Sequence, residues 1–184
     1  MRALVVYESL FGNTAAIGES IARSLRTRGF DAHAAPVSSV DPAETTGVDL
    51  LVVGGPTHAH GLSSAGTRKV AATDKKNDYA DPTVAPGLRT WIKELPEGGD
   101  RLAAAFDTRF DKSVLLTGSA ARGIARRLES RGYALVTRPE SFFVSEDSLL
   151  IDDQQEHAVR WAARLAAAAH EAMLRHQPGS VGTR

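Results

Sequence analysis

Ala3-Leu4-Val5-Val6-Tyr7 is an unbroken apolar run closed by Glu8-Ser9 and the pair Gly12-Asn13, and it predicts a buried strand. Helical spacing follows from Thr14 to Arg28. Ile17, Ile21 and Leu25 fall on one stripe beside Gly18 and Ala22, with Asn13 or Thr14 as the N-cap and Gly29 as the stop. Asp31 to Pro36 is less apolar and predicts an edge strand. Val37 to Gly47, rich in Ser, Thr, Asp and Pro, has room only for a short helical turn. Leu50-Leu51-Val52-Val53 is apolar on both faces, as a central parallel strand is.

Between Gly61 and Gly87 no face is strongly apolar, so 62–87 reads as an insertion. Leu88, Trp91, Ile92 and Leu95 then stand at i, i+3, i+4 and i+7 and predict a short helix ended by Pro96. Leu102 to Phe106 is the next strand. Ser119 to Ser130 is a helix with Ile124 and Leu128 inward. Tyr133 to Val144 holds one strand, broken near Pro139. The last helix runs from Glu156 to Arg175, with Val159, Ala162, Leu165, Ala166, Ala169 and Met173 along one face, and residues 177–184 read as a disordered tail. Trp91 and Trp161 fall on or beside apolar stripes and read as core.

Strands alternating with helices imply an α/β fold: a doubly wound parallel sheet of five strands with helices on both faces. No internal repeat interrupts it, so residues 1–176 are expected to form one domain.

Composition narrows the chemistry. The chain has 184 residues and no cysteine, which excludes disulfides, thiolate metal sites and cysteine nucleophiles. Lys and Arg number 22 and so do Asp and Glu, unlike the basic footprint of a nucleic-acid binder. No apolar run is long enough to span a membrane, and no secretory leader precedes the first strand, so a cytoplasmic protein is expected.

In an open parallel sheet, ligands bind beyond the carboxyl ends of the strands where strand order reverses. The segments to read are therefore Ser9 to Thr14, Gly54 to Gly61 and Asp107 to Phe110. The first joins a strand to a helix N-terminus, where unpaired amides and the helix dipole attract an anion. Ser9, Asn13 and Thr14 add neutral donors. With no Lys in the loop, it is not the phosphate loop of nucleotide hydrolases, and it lacks Gly-x-Gly-x-x-Gly. It suits a phosphomonoester that is held and not transferred. Capping of the helix alone is the other reading. Glu8, just ahead of the loop, is expected to face away from it. No Gly-x-Ser-x-Gly elbow points to a hydrolase, and the acidic cluster of a receiver domain is missing.

Val5-Val6-Tyr7-x-Ser9-x-x-Gly12-x-Thr14, joined by Gly55-Pro56-Thr57 after the third strand, resembles the flavodoxin family. The resemblance is strongest over residues 1–61 and weaker through 100–175. It implies a three-layer flavodoxin-like fold with strand order 2-1-3-4-5 and bound FMN. By that likeness, Ser9, Asn13 and Thr14, with the amides from Leu10 through Phe11 and Gly12, hold the FMN phosphate. Pro56, Thr57, His58, Ala59, His60 and Gly61 would lie against the isoalloxazine ring, and Asp107, Thr108 and Arg109 would form the opposite loop.

Each ring-loop residue has a plainer alternative. Asp107 either accepts from a ring N–H or caps a turn. Arg109 either lies near the N1–C2 carbonyl edge or is solvated. His58 and His60 flank the ring or stand exposed, and as a metal pair they would need further ligands.

The implied function is electron transfer through a non-covalent flavin, the protein being an electron carrier or an NAD(P)H-dependent reductase of quinone-like acceptors. Its partner would be a redox protein or a small acceptor. Leu10 and Phe11 stand where many flavodoxins have hydroxyl residues, and no Trp–Tyr pair is present to sandwich a ring. These departures motivate the alternative of an interaction or regulatory domain with weak or lost flavin binding.

Overall fold

The computed structural model describes residues 1–58, 61–63, 66 and 87–176. Strand β1 (Arg2–Tyr7) leads through residues 8–12 into helix α1 (Asn13–Arg26), and β2 (Asp31–Pro36) follows. Two 3-10 turns, Val37–Ser39 and Pro42–Gly47, precede β3 (Leu50–His58), which pairs antiparallel with the two-residue β4 (Gly61–Leu62). Then come α2 (Leu88–Glu94), β5 (Leu102–Phe110), the single turn α3 (Val114–Thr117), α4 (Ala120–Ser130), β6 (Ala134–Leu135), β7 (Glu140–Val144) and α5 (Gln154–His176).

The sheet order is β2-β1-β3-β5-β6, with β7 also on β5 and β4 hanging from β3. All central pairings are parallel. The expected fifth strand is thus two pieces, β6 and β7, interrupted across residues 136–139 ahead of and including Pro139. Leaving out the short β4, this is the expected order 2-1-3-4-5.

Each face of the sheet carries its own core, so the molecule is helix, sheet, helix. On one face Val5, Val52, Ala104 and Phe106 meet Ile17, Ile21 and Leu25 of α1 and Trp161, Leu165 and Ala169 of α5. On the other, Leu4, Val6, Leu51, Val53 and Ala103 meet Leu88, Trp91 and Ile92 of α2 and Ile124 and Leu128 of α4. Both tryptophans are buried. The Trp91 indole N–H donates to the Val40 carbonyl at 2.8 Å.

Several expectations need correction. Gly54 to His58 and Asp107 to Phe110 are strand and not loop, because β3 and β5 stay paired as far as Pro56 opposite Thr108, and β5 continues against β7 to Phe110. The N-cap of α1 is neither Asn13 nor Thr14 but Gly12, whose φ of 82° suits a residue without Cβ. On α5, Ala162, Leu165, Ala166 and Ala169 are buried as expected, with Ala158 and Trp161 beside them, while Val159 and Met173 are exposed. Trp161 packs on Phe106 and Phe142, with ring centroids 6.2 and 6.0 Å away. Most of the 62–87 insertion and the 177–184 tail lie outside the described residues.

Candidate functional site

A cleft of about 230 Å³ opens beyond the carboxyl ends of β1, β3 and β5. Leu10, Phe11, Asn13 and Thr14 line it from the α1 side and Pro56 and Thr57 from β3. Thr108, Arg109 and Phe110 come from β5, and Val144 and Ser148 from the end of β7 and the loop beyond it. The structure thus gathers residues from all three segments singled out in the sequence. Val144 and Ser148 were not foreseen. They follow the fifth strand, whose loop had no motif to mark it.

Helices α1, α2 and α4 begin near this edge of the sheet, and their N-termini are treated differently. At α2, the buried Glu8 carboxylate takes the Leu88 N–H at 2.7 Å and also accepts from the Ser63 hydroxyl. Glu8 therefore points toward α2 and, as expected, away from the loop ahead of α1. Its bonds join the two described ends, Ser63 and Leu88, of the segment between β4 and α2. Glu8→Gln puts an amide N–H against one of these two donors, and a loss of about 2 kcal/mol in urea-unfolding free energy is expected. An unchanged midpoint would show that the carboxylate is dispensable.

At α4, Asp107 plays the corresponding part. Fully buried, its Oδ2 accepts from the Thr57 hydroxyl at 2.9 Å, the Ser119 hydroxyl at 2.8 Å and the Ala121 N–H at 2.8 Å. The Thr57 hydroxyl in turn accepts from the Ala120 N–H at 2.8 Å. Asp107 is absent from the cleft lining, and its bonds are those of a helix-capping group. Its other oxygen, Oδ1, is buried without a partner among the described residues.

The N-terminus of α1 has neither device. Its first turn holds no acidic residue, and Gly12 supplies no side chain. The amides of Asn13 and Thr14 make no hydrogen bond to a described residue. Neutral side chains surround them. The Ser9 hydroxyl accepts from the Ala15 N–H at 3.3 Å, Asn13 Nδ2 donates to the Ser148 carbonyl at 2.6 Å, and the Thr14 and Thr108 hydroxyls are 2.7 Å apart. These bonds leave the Ser9 O–H and one Asn13 N–H uncommitted. With Thr108 donating, the Thr14 O–H is uncommitted as well. Orphan amides, the positive end of the helix dipole and spare neutral donors are the chemistry of an anion cradle. The residues present fit a phosphate monoester such as that of FMN.

Arg109 is neither solvated nor free. It is 8% exposed, with Nη1 donating to the carbonyls of Phe110 and Lys112 and to the Thr117 hydroxyl. Its guanidinium lies 4.8 Å from the Phe143 ring centre. It brings a cation to the cleft wall while also fastening the turn after β5. Phe11 and the partly exposed Phe110 are the aromatic side chains of the described lining. Gly61 sits in β4. The His58 side chain, Ala59 and His60, assigned to the ring loop from the sequence, lie outside the described residues. Among the described residues no group of three His, Cys, Asp or Glu is disposed to hold a metal ion, and no helix is long and apolar enough to cross a membrane.

No protein-family model and no curated protein sequence matches the chain. Solved structures do. A flavodoxin from the domain Archaea superposes with a TM-score of 0.64 at 19% identity, over 92% of this chain and 99% of that one. Oxidised Flavodoxin 1 from Bacillus cereus gives 0.65 at 16%, over 97% and 100%. The flavodiiron protein from Giardia intestinalis gives 0.67 at 14%, over 96% of this chain but only 38% of its own. Strand order, the two cores and these superpositions agree: the chain has the flavodoxin-like fold.

Proposed function

We propose that this chain is an FMN-binding redox protein whose cofactor phosphate is held at the start of α1. The observation that carries the reading is the contrast between helix N-termini. Those of α2 and α4 are closed by the buried carboxylates of Glu8 and Asp107, whereas that of α1 opens on the cleft with no acid in its first turn and with its Asn13 and Thr14 amides free of partners among the described residues. When bound, FMN would supply the electron transfer itself.

The chain's own residues bind and orient it. The amides of Leu10 to Thr14 with the Ser9, Asn13 and Thr14 donors hold the phosphate. Pro56, Thr57 and Thr108, with Phe11 and Phe110, line the rest of the cleft. Arg109 places positive charge beside the cleft, which favours an electron-rich ligand. His58, Ala59, His60 and Gly61 are proposed to complete the ring side. A redox protein or a small quinone-like acceptor would take the electrons, with NAD(P)H as a candidate donor, in the cytoplasm.

Two measurements test this. The purified protein should be yellow and release FMN, or should quench FMN fluorescence on titration. Thr14→Val, which removes a hydroxyl at constant shape, should raise the dissociation constant about two- to tenfold, the equivalent of one neutral hydrogen bond. A protein that neither carries nor takes up FMN would overturn the reading. It would favour the second one, a flavodoxin-like interaction domain, which the internal hydrogen bonds of Ser9, Asn13 and Thr14 support.

A further inference from the structure

The chain is neutral overall, yet its charges are not evenly spread. Helices α2 and α4, packed side by side on one face of the sheet, carry Arg89, Lys93, Arg122, Arg126 and Arg127 against only Glu94 and Glu129. The described ion pairs lie elsewhere: Lys112–Glu146, His157–Glu140, Arg160–Glu156, Arg164–Glu140 and Arg175–Glu171. None involves a guanidinium of α2 or α4.

Two of these arginines, Arg89 and Arg127, are also set in place. Arg89 donates to the Leu62 carbonyl at 2.7 Å and Arg127 to the Gly123 carbonyl at 2.8 Å, each through one nitrogen. Arg122 and Arg126 stand one turn apart, a like-charge spacing that costs helix stability. Burial, then the nearby Arg89 and Arg126 charges, hold the Arg127 guanidinium below its ordinary pKa. Positive charge is thus in excess here, with no ion pair to these guanidiniums among the described residues, at a helix whose first residues are tied to Thr57 in the cleft wall.

We propose that this arginine surface on α2 and α4 is the docking site for a partner protein that presents clustered Asp and Glu side chains. Guanidinium groups recognise carboxylates through paired hydrogen bonds, and fixed guanidiniums lose little freedom in doing so. Charge complementarity of this kind steers encounter and sets orientation. The other occupants fit less well. The chain's own 64–86 segment has Arg68, Lys69, Lys75 and Lys76 against Asp74, Asp78 and Asp81, a net charge of the same sign as the patch. A nucleic acid wants a longer track than α4, which is about 16 Å long at 1.5 Å per residue. A bilayer wants apolar side chains to insert, and none of the exposed large apolar residues, such as Phe110, Leu149 and Leu174, belongs to α2 or α4.

The test uses the full chain without added flavin, so that it stands apart from the cofactor reading. A synthetic oligo-glutamate peptide is titrated while backbone amide shifts are followed. Binding that weakens with salt and shifts amides of α2 and α4 is expected. Arg122→Gln with Arg126→Gln, both exposed, should weaken it about tenfold, and Arg127→Glu added to these should abolish it. Arg160→Gln with Arg164→Gln on α5, equal in charge change, should leave it within about twofold. The proposal is overturned by no binding at low salt, by equal losses in the α5 control, or by tighter binding to a DNA duplex or to anionic vesicles than to the peptide.

Discussion

Asp107→Ala is expected to cost about 3–5 kcal/mol and to lower the melting temperature by about 6–20 °C. Fully buried, Asp107 holds the Thr57 hydroxyl, the Ser119 hydroxyl and the Ala121 N–H on one oxygen. Truncation leaves three donors without their acceptor, the buried Ala121 N–H among them, and α4 loses the negative charge at its N-terminus. Asp107→Asn keeps one acceptor oxygen and should cost less than half as much. Denaturant midpoints at constant slope measure both. An Ala variant as stable as the parent would mean that Ser119 caps α4 unaided. Because Thr57 also lines the cleft, the same variant should loosen that wall.

Gly54→Ala should cost about 3 kcal/mol. A Cβ at Gly54 would overlap the Phe106 ring on the neighbouring strand. The ring has no room to retreat: it is fully buried, with Phe142 and Trp161 centroids at 6.0 and 6.2 Å. Adding Phe106→Leu should recover part of the loss, since the two changes share one contact. If the double variant is no better than the sum of the single ones, the ring is not the obstacle.

Much of the fold could be read in advance because parallel strands buried on both faces spell continuous apolar runs. Val5 and Val52 point into one core, Leu4 and Val53 into the other, and periodicity needs no further help. The ends of β3 and β5 were not legible for the opposite reason. Gly54 and Asp107 look like loop residues, but a glycine fits where a ring approaches, and a carboxylate is tolerated in the core once three donors surround it. The α1 part of the cleft was visible as a run of small and polar residues after a strand. Ser148, which closes the cleft through Asn13, and the isolated turn α3 had no such signature. The exposure of Val159 and Met173 on α5 was likewise not legible, since helical spacing alone does not set how far round the helix the neighbouring elements reach.

The hydrogen bond from Asn13 to the Ser148 carbonyl joins positions 135 residues apart. Closing so long a loop is an entropic cost that only late, non-local contacts can repay. A chain still emerging from the ribosome can form β1 and the first turns of α1 early. It cannot complete the cleft until β7 has been made and seated beside β5. The cradle is therefore synthesised well before it can be finished, so a product cut short before Ser148 would keep the cradle's sequence without the completed cleft.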